Sequence, residues 1–142
     1  MQHFNRLFEL AAARRGGPRA LEKLLTKPKK AGELRKIPND RWLSDMTKSV
    51  FQAGFVWRIV DNKWPDFERT FYGFDLHKVA YMSDEDIESL MGDPSIIRHH
   101  TKLLAARDNA AFLLAVVDEH GSVGKYFADY PSTTHVDLLI DL

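Results

Sequence analysis

One stretch in the second half of the chain constrains the fold most, because it predicts two helices joined by a short turn. Ser83 and Asp86 have the three-residue spacing of an N-terminal capping box, and Gly92 follows the last apolar residue of that helical pattern. A second helical pattern begins near Lys102 and continues for several turns. We therefore predict a helix, a short turn and a second helix, with the turn in residues 93–101.

The predicted turn carries groups that suit a phosphate. A helix N-terminus presents backbone N–H groups that have no partner within the helix, and the helix dipole adds a partial positive charge there. Ile96 and Ile97 are expected to face inward and fix the turn. Lys102 is expected to contact phosphate as a cation. A lysine at a phosphate-binding helix start more often makes such an electrostatic contact than a covalent Schiff base with a substrate. The residues predicted to bind a phosphate of a nucleic-acid backbone are Ser95, Ile97, Arg98, His99, His100 and Lys102.

The rest of the chain predicts an all-α fold, because it contains helical spacing of apolar residues and no alternating strand pattern. Residues 26–38 are rich in lysine and proline, and we interpret them as a linker or extended loop. Asn39 or Asp40 is expected to cap a long helix, Pro65 to begin another and Asp75 to cap a short one. The predicted helices cover residues 4–14, 19–25, 41–60, 65–70, 76–82, 84–91, 102–118 and a last one capped by Ser132.

Composition excludes several classes of protein. The 142 residues include no cysteine, so disulfides and thiolate metal sites are excluded and a reducing compartment fits. No metal-ligand spacing is found among the six histidines. No apolar run approaches the roughly 18 residues of a membrane span. We therefore expect a cytoplasmic protein with no cofactor, no metal and no membrane partner.

The charge is balanced overall but unevenly distributed. Residues 1–36 hold ten Lys/Arg and three Asp/Glu, whereas residues 37–142 hold ten and seventeen. A basic arm of this kind could help to bind phosphates, or it could dock on the acidic remainder of its own chain. We divide the chain into a basic arm with its linker, residues 1–38, and a helical domain, residues 39–142.

Three separated blocks carry a resemblance to a known family: QAGFVWRIV, FDLHKVAYMSDEDIESLMGDPS and IIRHHTKLLAARDNA, in this order. They resemble the DNA-3-methyladenine glycosylase I family of the helix-hairpin-helix DNA glycosylases, and the similarity runs from about residue 39 to residue 129. The resemblance implies a helix-hairpin-helix glycosylase-like fold. It also implies base excision repair of double-stranded DNA that contains alkylated bases, and we expect a monomer.

Two departures from the family are expected from the same resemblance. Members commonly bind zinc through two cysteines and two histidines, so this chain is expected to be a zinc-free form. Members also continue for several more helices, so we expect a form that is short at its C-terminus.

The resemblance assigns roles to residues around Gly54. Gln52 and Phe55 correspond to the wedge that fills the gap left by a flipped base, and Trp57 to a wall of the base pocket. Helical periodicity alone instead predicts that Phe55 and Trp57 belong to the core.

Ser49 stands where the family has a glutamate that recognises the alkylated base. A hydroxyl offers only a neutral hydrogen bond, whereas a carboxylate attracts a cationic base and can orient water. Asp45 lies one helical turn earlier and could place a carboxylate nearby, or it could simply complement the helix dipole. We take Ser49 and Asp45 as the candidate catalytic residues.

The predicted activity is hydrolysis of the N-glycosidic bond of an alkylated purine such as 3-methyladenine after base flipping. An N-alkylated purine leaves as a neutral base, so binding and distortion can supply much of the barrier reduction even without the glutamate. The alternative is a non-catalytic DNA-binding homologue that recognises damaged or distorted duplex. A third class is a helical protein-interaction module.

Overall fold

The computed structural model describes residues 2–25 and 27–130, and these contain helices and no strand. The predicted all-α fold is therefore confirmed for the described residues, whereas the helix predicted after Ser132 lies outside them. The α-helices are α1 Gln2–Arg14, α2 Pro18–Leu24, α3 Ala31–Leu34, α4 Asn39–Gln52, α5 Trp57–Thr70, α6 Leu76–Ala80, α7 Asp84–Met91, α8 His100–His120 and α9 Val123–Asp129, with a 3-10 turn at Tyr72–Phe74.

Helix α8 lies at the centre of the fold and packs against α4, α6, α7 and α9. Its buried residues recur every three or four positions, which places them on one face: Leu103, Ala106, Ala110, Leu113 and Val116. The helix begins two residues before the predicted start at Lys102 and ends at Gly121, whose φ of 86° is a left-handed conformation that glycine adopts without strain.

A cluster of aromatic rings fills the core between α4, α5 and the 3-10 turn. Trp64 stacks on Phe67 with ring centroids 5.0 Å apart, and Phe71 stacks on Phe74 at 5.4 Å. Phe51 meets Phe67 edge to face at 4.7 Å. Since all four phenylalanines are fully buried, this cluster fixes how α4 and α5 pack together.

The helix predicted for residues 41–60 is broken in the structure, so that prediction was wrong. α4 ends at Gln52, Gly54 adopts a φ of 70°, and α5 begins at Trp57. Pro38 is the N-cap residue of α4, and the Asn39 side chain instead accepts a hydrogen bond from the backbone N–H of Val123. The break in the helical pattern therefore gives two separate helices, α4 and α5, joined by a short exposed loop.

Pro65 does not begin a helix as predicted but lies inside α5. Its ring removes the N–H that would bond to the carbonyl of Asp61, which weakens the helix at this point. Buried Val60 and Phe67 on either side pack into the core and offset that loss.

Residues 27–38, part of the segment predicted to be a linker or extended loop, contain one short helix. Ala31–Leu34 form one helical turn, α3, which packs against α9. The approach is close, because a Cβ added at Gly124 would lie 3.2 Å from Arg35 Cα and still closer to the Leu34 carbonyl oxygen. An ion pair between Arg35 and Asp129 joins the same two segments.

The basic arm forms a pair of helices, α1 and α2, that pack against each other. Five of its large apolar side chains are exposed, whereas Phe8 and Leu21 are half-buried; the exposed ones are Phe4, Leu7, Leu10, Leu24 and Leu25.

Two predicted helix caps are confirmed. Ser83 and Asp86 form the capping box of α7, with Ser83 Oγ accepting from the Asp86 N–H at 3.1 Å and Asp86 accepting from the Ser83 N–H at 2.8 Å. Asp75 caps α6 through the N–H of Lys78. Together they fix the two short helices in front of the hairpin.

Helices of the described residues are all too short or too polar to cross a membrane. Among the same residues, no group of three or more histidine, aspartate or glutamate side chains is placed to hold a metal ion.

Candidate nucleic-acid interface

The hairpin, residues 92–99, joins α7 to α8 and is held from inside by side chains of α5. Lys63 Nζ donates to the carbonyl oxygens of Pro94 and Ser95, both at 2.9 Å. Arg69 donates to Ser95 Oγ at 3.2 Å, and the Asp93 carboxylate accepts from the Ser95 N–H at 2.8 Å. The hairpin backbone is therefore fixed before any ligand binds.

The Asp93 carboxylate is stabilised in its charged form. Hydrogen bonds from the side chain and the backbone N–H of Ser95 lower the pKa of Asp93 below its ordinary value. The carboxylate thus keeps its hydrogen bonds with Ser95 over the whole neutral range.

The start of α8 is open to solvent on the side where a phosphate is predicted to bind. Ile96 is buried and Ile97 half-buried, as expected, whereas Arg98, His99 and His100 are exposed. His99 is the N-cap residue and its side chain makes no capping hydrogen bond, so the N–H groups of His100 and Thr101 remain available, whereas that of Lys102 donates to the His99 carbonyl oxygen at 2.9 Å. The structure brings these predicted phosphate ligands together at one helix N-terminus.

Within the described chain, Arg98 has no hydrogen bond or ion pair, so its guanidinium is free to meet a phosphate. His100 differs, because its Nε2 lies 3.3 Å from Glu88 Oε1 and so links α8 to α7.

The loop between α4 and α5, residues 53–56, and the residue after it expose apolar side chains. Phe55, Val56 and Trp57 are 45%, 58% and 66% exposed. The core interpretation that periodicity favoured is therefore wrong for Phe55 and Trp57. Adjacent exposed apolar side chains on a monomer usually mark a surface that binds something, and we call residues 53–56 the insertion loop.

The insertion loop is fixed at its base by polar contacts. Gln52 Nε2 donates to Asp61 Oδ1 at 3.3 Å, and Lys48 pairs with the same oxygen at 2.8 Å. Lys102, from the first turn of α8, donates to the carbonyl oxygen of Ala53 at 2.7 Å and to that of Phe51 at 3.4 Å. Lys102 therefore contacts the end of α4, a role that the sequence did not predict, and its phosphate contact stays a prediction.

A cleft lies along α4 on the side that faces α8. Its volume is about 370 Å³, and it is lined by Trp42, Asp45, Met46, Ser49, Val50 and Asn109. Trp57 is not among the residues that line it. The two candidate catalytic residues thus share one cleft, whereas the predicted pocket wall lies on the exposed surface at the start of α5.

The polar groups in the cleft differ in what they can offer a ligand. Ser49 Oγ donates to the Asp45 carbonyl oxygen at 2.9 Å, so its proton is already used within α4. Asp45 supplies the one carboxylate among the lining residues, and Asn109 supplies an amide. Sequence reasoning missed Asn109, although an asparagine in the middle of a long helix was a possible signal because asparagine does not favour helix interiors.

Comparison with known proteins decides the family. The model of the methyladenine glycosylase family matches residues 38–138. The chain belongs to the methyladenine glycosylase family. Its curated relatives include DNA-3-methyladenine glycosylase 1 of Escherichia coli (strain K12), 38% identical over 79 residues that make up 56% of this chain and 40% of that protein. The DNA-3-methyladenine glycosylase of Haemophilus influenzae is 35% identical over 79 residues, with the same coverage of 56% and 40%.

Solved structures of methyladenine glycosylases share the fold. A point variant of 3-methyladenine DNA glycosylase I in complex with 3-methyladenine matches with a TM-score of 0.62 and 30% identity, over 66% of this chain and 52% of that one. The Staphylococcus aureus enzyme, solved for its recognition of 3-methyladenine, matches with a TM-score of 0.61 and 30% identity, over 63% and 48%. The chain thus spans about half the length of the solved structures it matches and 40% of the length of the two curated relatives.

Proposed function

We propose that this methyladenine glycosylase family member is a DNA glycosylase of base excision repair. It would flip an alkylated purine such as 3-methyladenine out of double-stranded DNA and hydrolyse its N-glycosidic bond. The observation that carries the proposal is the exposed apolar insertion loop beside an open, preformed hairpin. Nothing in a helical core requires that combination, whereas a base-flipping enzyme needs both a wedge and a grip on the backbone.

Phosphate binding is assigned to the hairpin. The free N–H groups at the start of α8 and the guanidinium of Arg98 offer directed donors to one phosphate, while His99 adds a polar contact. Lys63 and Arg69 already hold the hairpin in place. Little conformational entropy is therefore lost when the hairpin binds a phosphate.

Insertion and stacking are assigned to the loop and the first residue of α5. Phe55 would enter the gap in the duplex, supported by Gln52. Trp57 does not line the cleft, so we assign its exposed indole to stacking on a base of the opened duplex outside the cleft, worth roughly 1–3 kcal/mol per base.

Recognition of a positively charged base is assigned to the cleft. Asp45 places a carboxylate beside Ser49, the position where the family glutamate is expected, and a carboxylate attracts a cationic base more strongly than a hydroxyl does. Asn109 can offer a donor and an acceptor to a purine edge, the pairing that amide side chains make with adenine. In that pairing the amide binds N6 and N7 of adenine, and both atoms stay free in a base that is alkylated at N3.

The test is release of free bases from duplex DNA treated with a methylating agent, separated by chromatography. We expect release of 3-methyladenine by the unaltered protein and a decrease of about tenfold or more in Asp45→Asn, since general acid–base groups typically contribute at least 10²-fold at full effect. Asp118→Asn is the matched control, because Asp118 is an exposed carboxylate near the end of α8 and outside the cleft, and it should retain most of the activity.

A second candidate function is non-catalytic recognition of damaged or distorted duplex, and the bonding of Ser49 favours it. The Ser49 proton is donated within α4, so the hydroxyl offers a ligand only its lone pairs and lacks the charge of the family glutamate. Tight binding of methylated duplex with no base released would support this candidate and exclude the glycosylase. Under either function we propose a monomer that acts on DNA in the cytoplasm.

A further inference from the structure

We propose that Lys102 is a positioning residue that couples phosphate binding at the hairpin to entry of the insertion loop into the duplex. The inference rests on the proposed DNA-binding function of these two segments. It assigns to Lys102 a role in shaping the protein, in place of the phosphate contact that its position in the sequence predicts.

The contacts of Lys102 run to the end of α4. Its ammonium lies 2.7 Å from the Ala53 carbonyl oxygen, 3.4 Å from that of Phe51 and 5.9 Å from the centre of the Phe51 ring. The last carbonyl groups of a helix lack partners within the helix and lie at the negative end of its dipole, so a cation is favoured there. Lys102 thereby stabilises the point where the chain leaves α4 and enters the insertion loop.

The same lysine belongs to the first turn of α8, next to the predicted phosphate site. A shift of this turn on binding DNA would therefore be passed directly to Ala53, the first residue of the insertion loop. Lys63 makes the reciprocal connection, because it extends from α5 to the carbonyl oxygens of Pro94 and Ser95 in the hairpin. Lys63 thus joins the hairpin to α5, and Lys102 joins the start of α8 to the end of α4, so the two lysines hold both helices that flank the insertion loop.

Arg98 provides the contrast within the same site. It has no hydrogen bond or ion pair in the described part of the chain, whereas Lys102 directs its ammonium at two carbonyl oxygens. A residue that binds phosphate and a residue that positions the loop should respond differently to salt, since only the first releases counterions from DNA.

The experiment compares Lys102→Met with Arg98→Met in the full chain. One readout is the dependence of duplex affinity on salt, and the other is the fluorescence of 2-aminopurine placed beside a 3-methyladenine analogue that resists cleavage. Arg98→Met should reduce the salt slope by about one. Lys102→Met should leave the slope unchanged and reduce the fluorescence increase by about tenfold or more, as expected for loss of a hydrogen bond from a charged group.

A double-mutant cycle with Phe55→Ala separates positioning from general destabilisation. If Lys102 acts by placing Phe55, then Lys102→Met should cause no further loss of fluorescence in the Phe55→Ala protein. Hydrogen exchange in the free Lys102→Met protein should rise at residues 53–56 and stay unchanged in the buried part of α8.

Three results would overturn the proposal: a salt slope that falls by about one in Lys102→Met, losses that add in the double variant, or no fluorescence increase with the unaltered protein. A fluorescence increase with the resistant analogue, together with no release of 3-methyladenine from cleavable methylated duplex, would instead reject the glycosylase activity and leave the coupling intact.

Discussion

Arg41 and Glu68 form a two-point ion pair that joins α4 to α5. Nη1 of Arg41 donates to Oε1 of Glu68 at 2.7 Å, and Nη2 donates to Oε2 at 2.9 Å. The same guanidinium donates to the Gly73 carbonyl oxygen at 2.8 Å, and Ser44 donates to Glu68 at 2.7 Å. The pair therefore holds the 3-10 turn and the two helices that flank the insertion loop in one arrangement.

Replacing Glu68 should weaken the fold. Glu68→Gln removes the charge that Arg41 pairs with, and we expect the free energy of unfolding to fall by roughly 1–3 kcal/mol, the usual effect of leaving a partly buried group unsatisfied. Asp66→Asn on the same helix is the control, because its pair with Arg69 is more exposed. Urea denaturation measures both, and equal losses in the two variants would contradict the prediction.

The Glu68 carboxylate should also make the free energy of unfolding depend on pH in the acidic range. Burial raises the pKa of Glu68, but hydrogen bonds from Arg41 and Ser44 together outweigh it and hold the pKa below its ordinary value of 4.5. A group with a lowered pKa contributes stability that is complete above its unfolded pKa and is lost as pH falls through its folded pKa. The difference in unfolding free energy between the unaltered protein and Glu68→Gln should therefore be constant near neutral pH and shrink below pH 4.5. A difference that stays constant into strong acid would contradict this linkage.

The exposed indole of Trp57 should matter for base release and little for stability. Because 66% of Trp57 is exposed, Trp57→Ala should leave the melting temperature nearly unchanged. Loss of stacking should reduce 3-methyladenine release by about ten- to hundredfold. Tyr81, 80% exposed at the end of α6, is the matched aromatic control, and Tyr81→Ala should retain activity. A melting temperature that drops sharply in Trp57→Ala would instead indicate a structural role.

Gly124 should not tolerate a larger side chain. Its Cβ would collide with backbone atoms of Leu34 and Arg35, so Gly124→Ala should separate α3 from α9 and cost about 1–3 kcal/mol of stability. Gly32 in α3 has open space around it, and Gly32→Ala should instead be neutral or add about 0.5–1 kcal/mol. Thermal denaturation compares the two, and a stable Gly124→Ala protein would mean that α3 can move without loss.

Several parts of the fold could be predicted from the sequence because they depend on near neighbours. The capping box at Ser83, the Asp75 cap and the end of α8 at Gly121 all use residues within one helical turn of each other. The inward face of α8 follows from its apolar spacing alone. The site was predicted less completely, because Asn109 and the contacts of Lys102 depend on residues far away in the chain.

The sequence by itself determined the helical class and the positions of the hairpin and of the helix caps before it, because short-range spacing and backbone preferences specify them. The family followed from the resemblance of three sequence blocks to known members. Only the tertiary structure decided that α4 stops at Gln52, that Phe55 and Trp57 lie exposed and that α3 packs on α9. The physical reason is that an apolar residue is buried only where another element covers it. Helical periodicity shows which residues share one face of a helix, but it does not show whether another helix packs against that face.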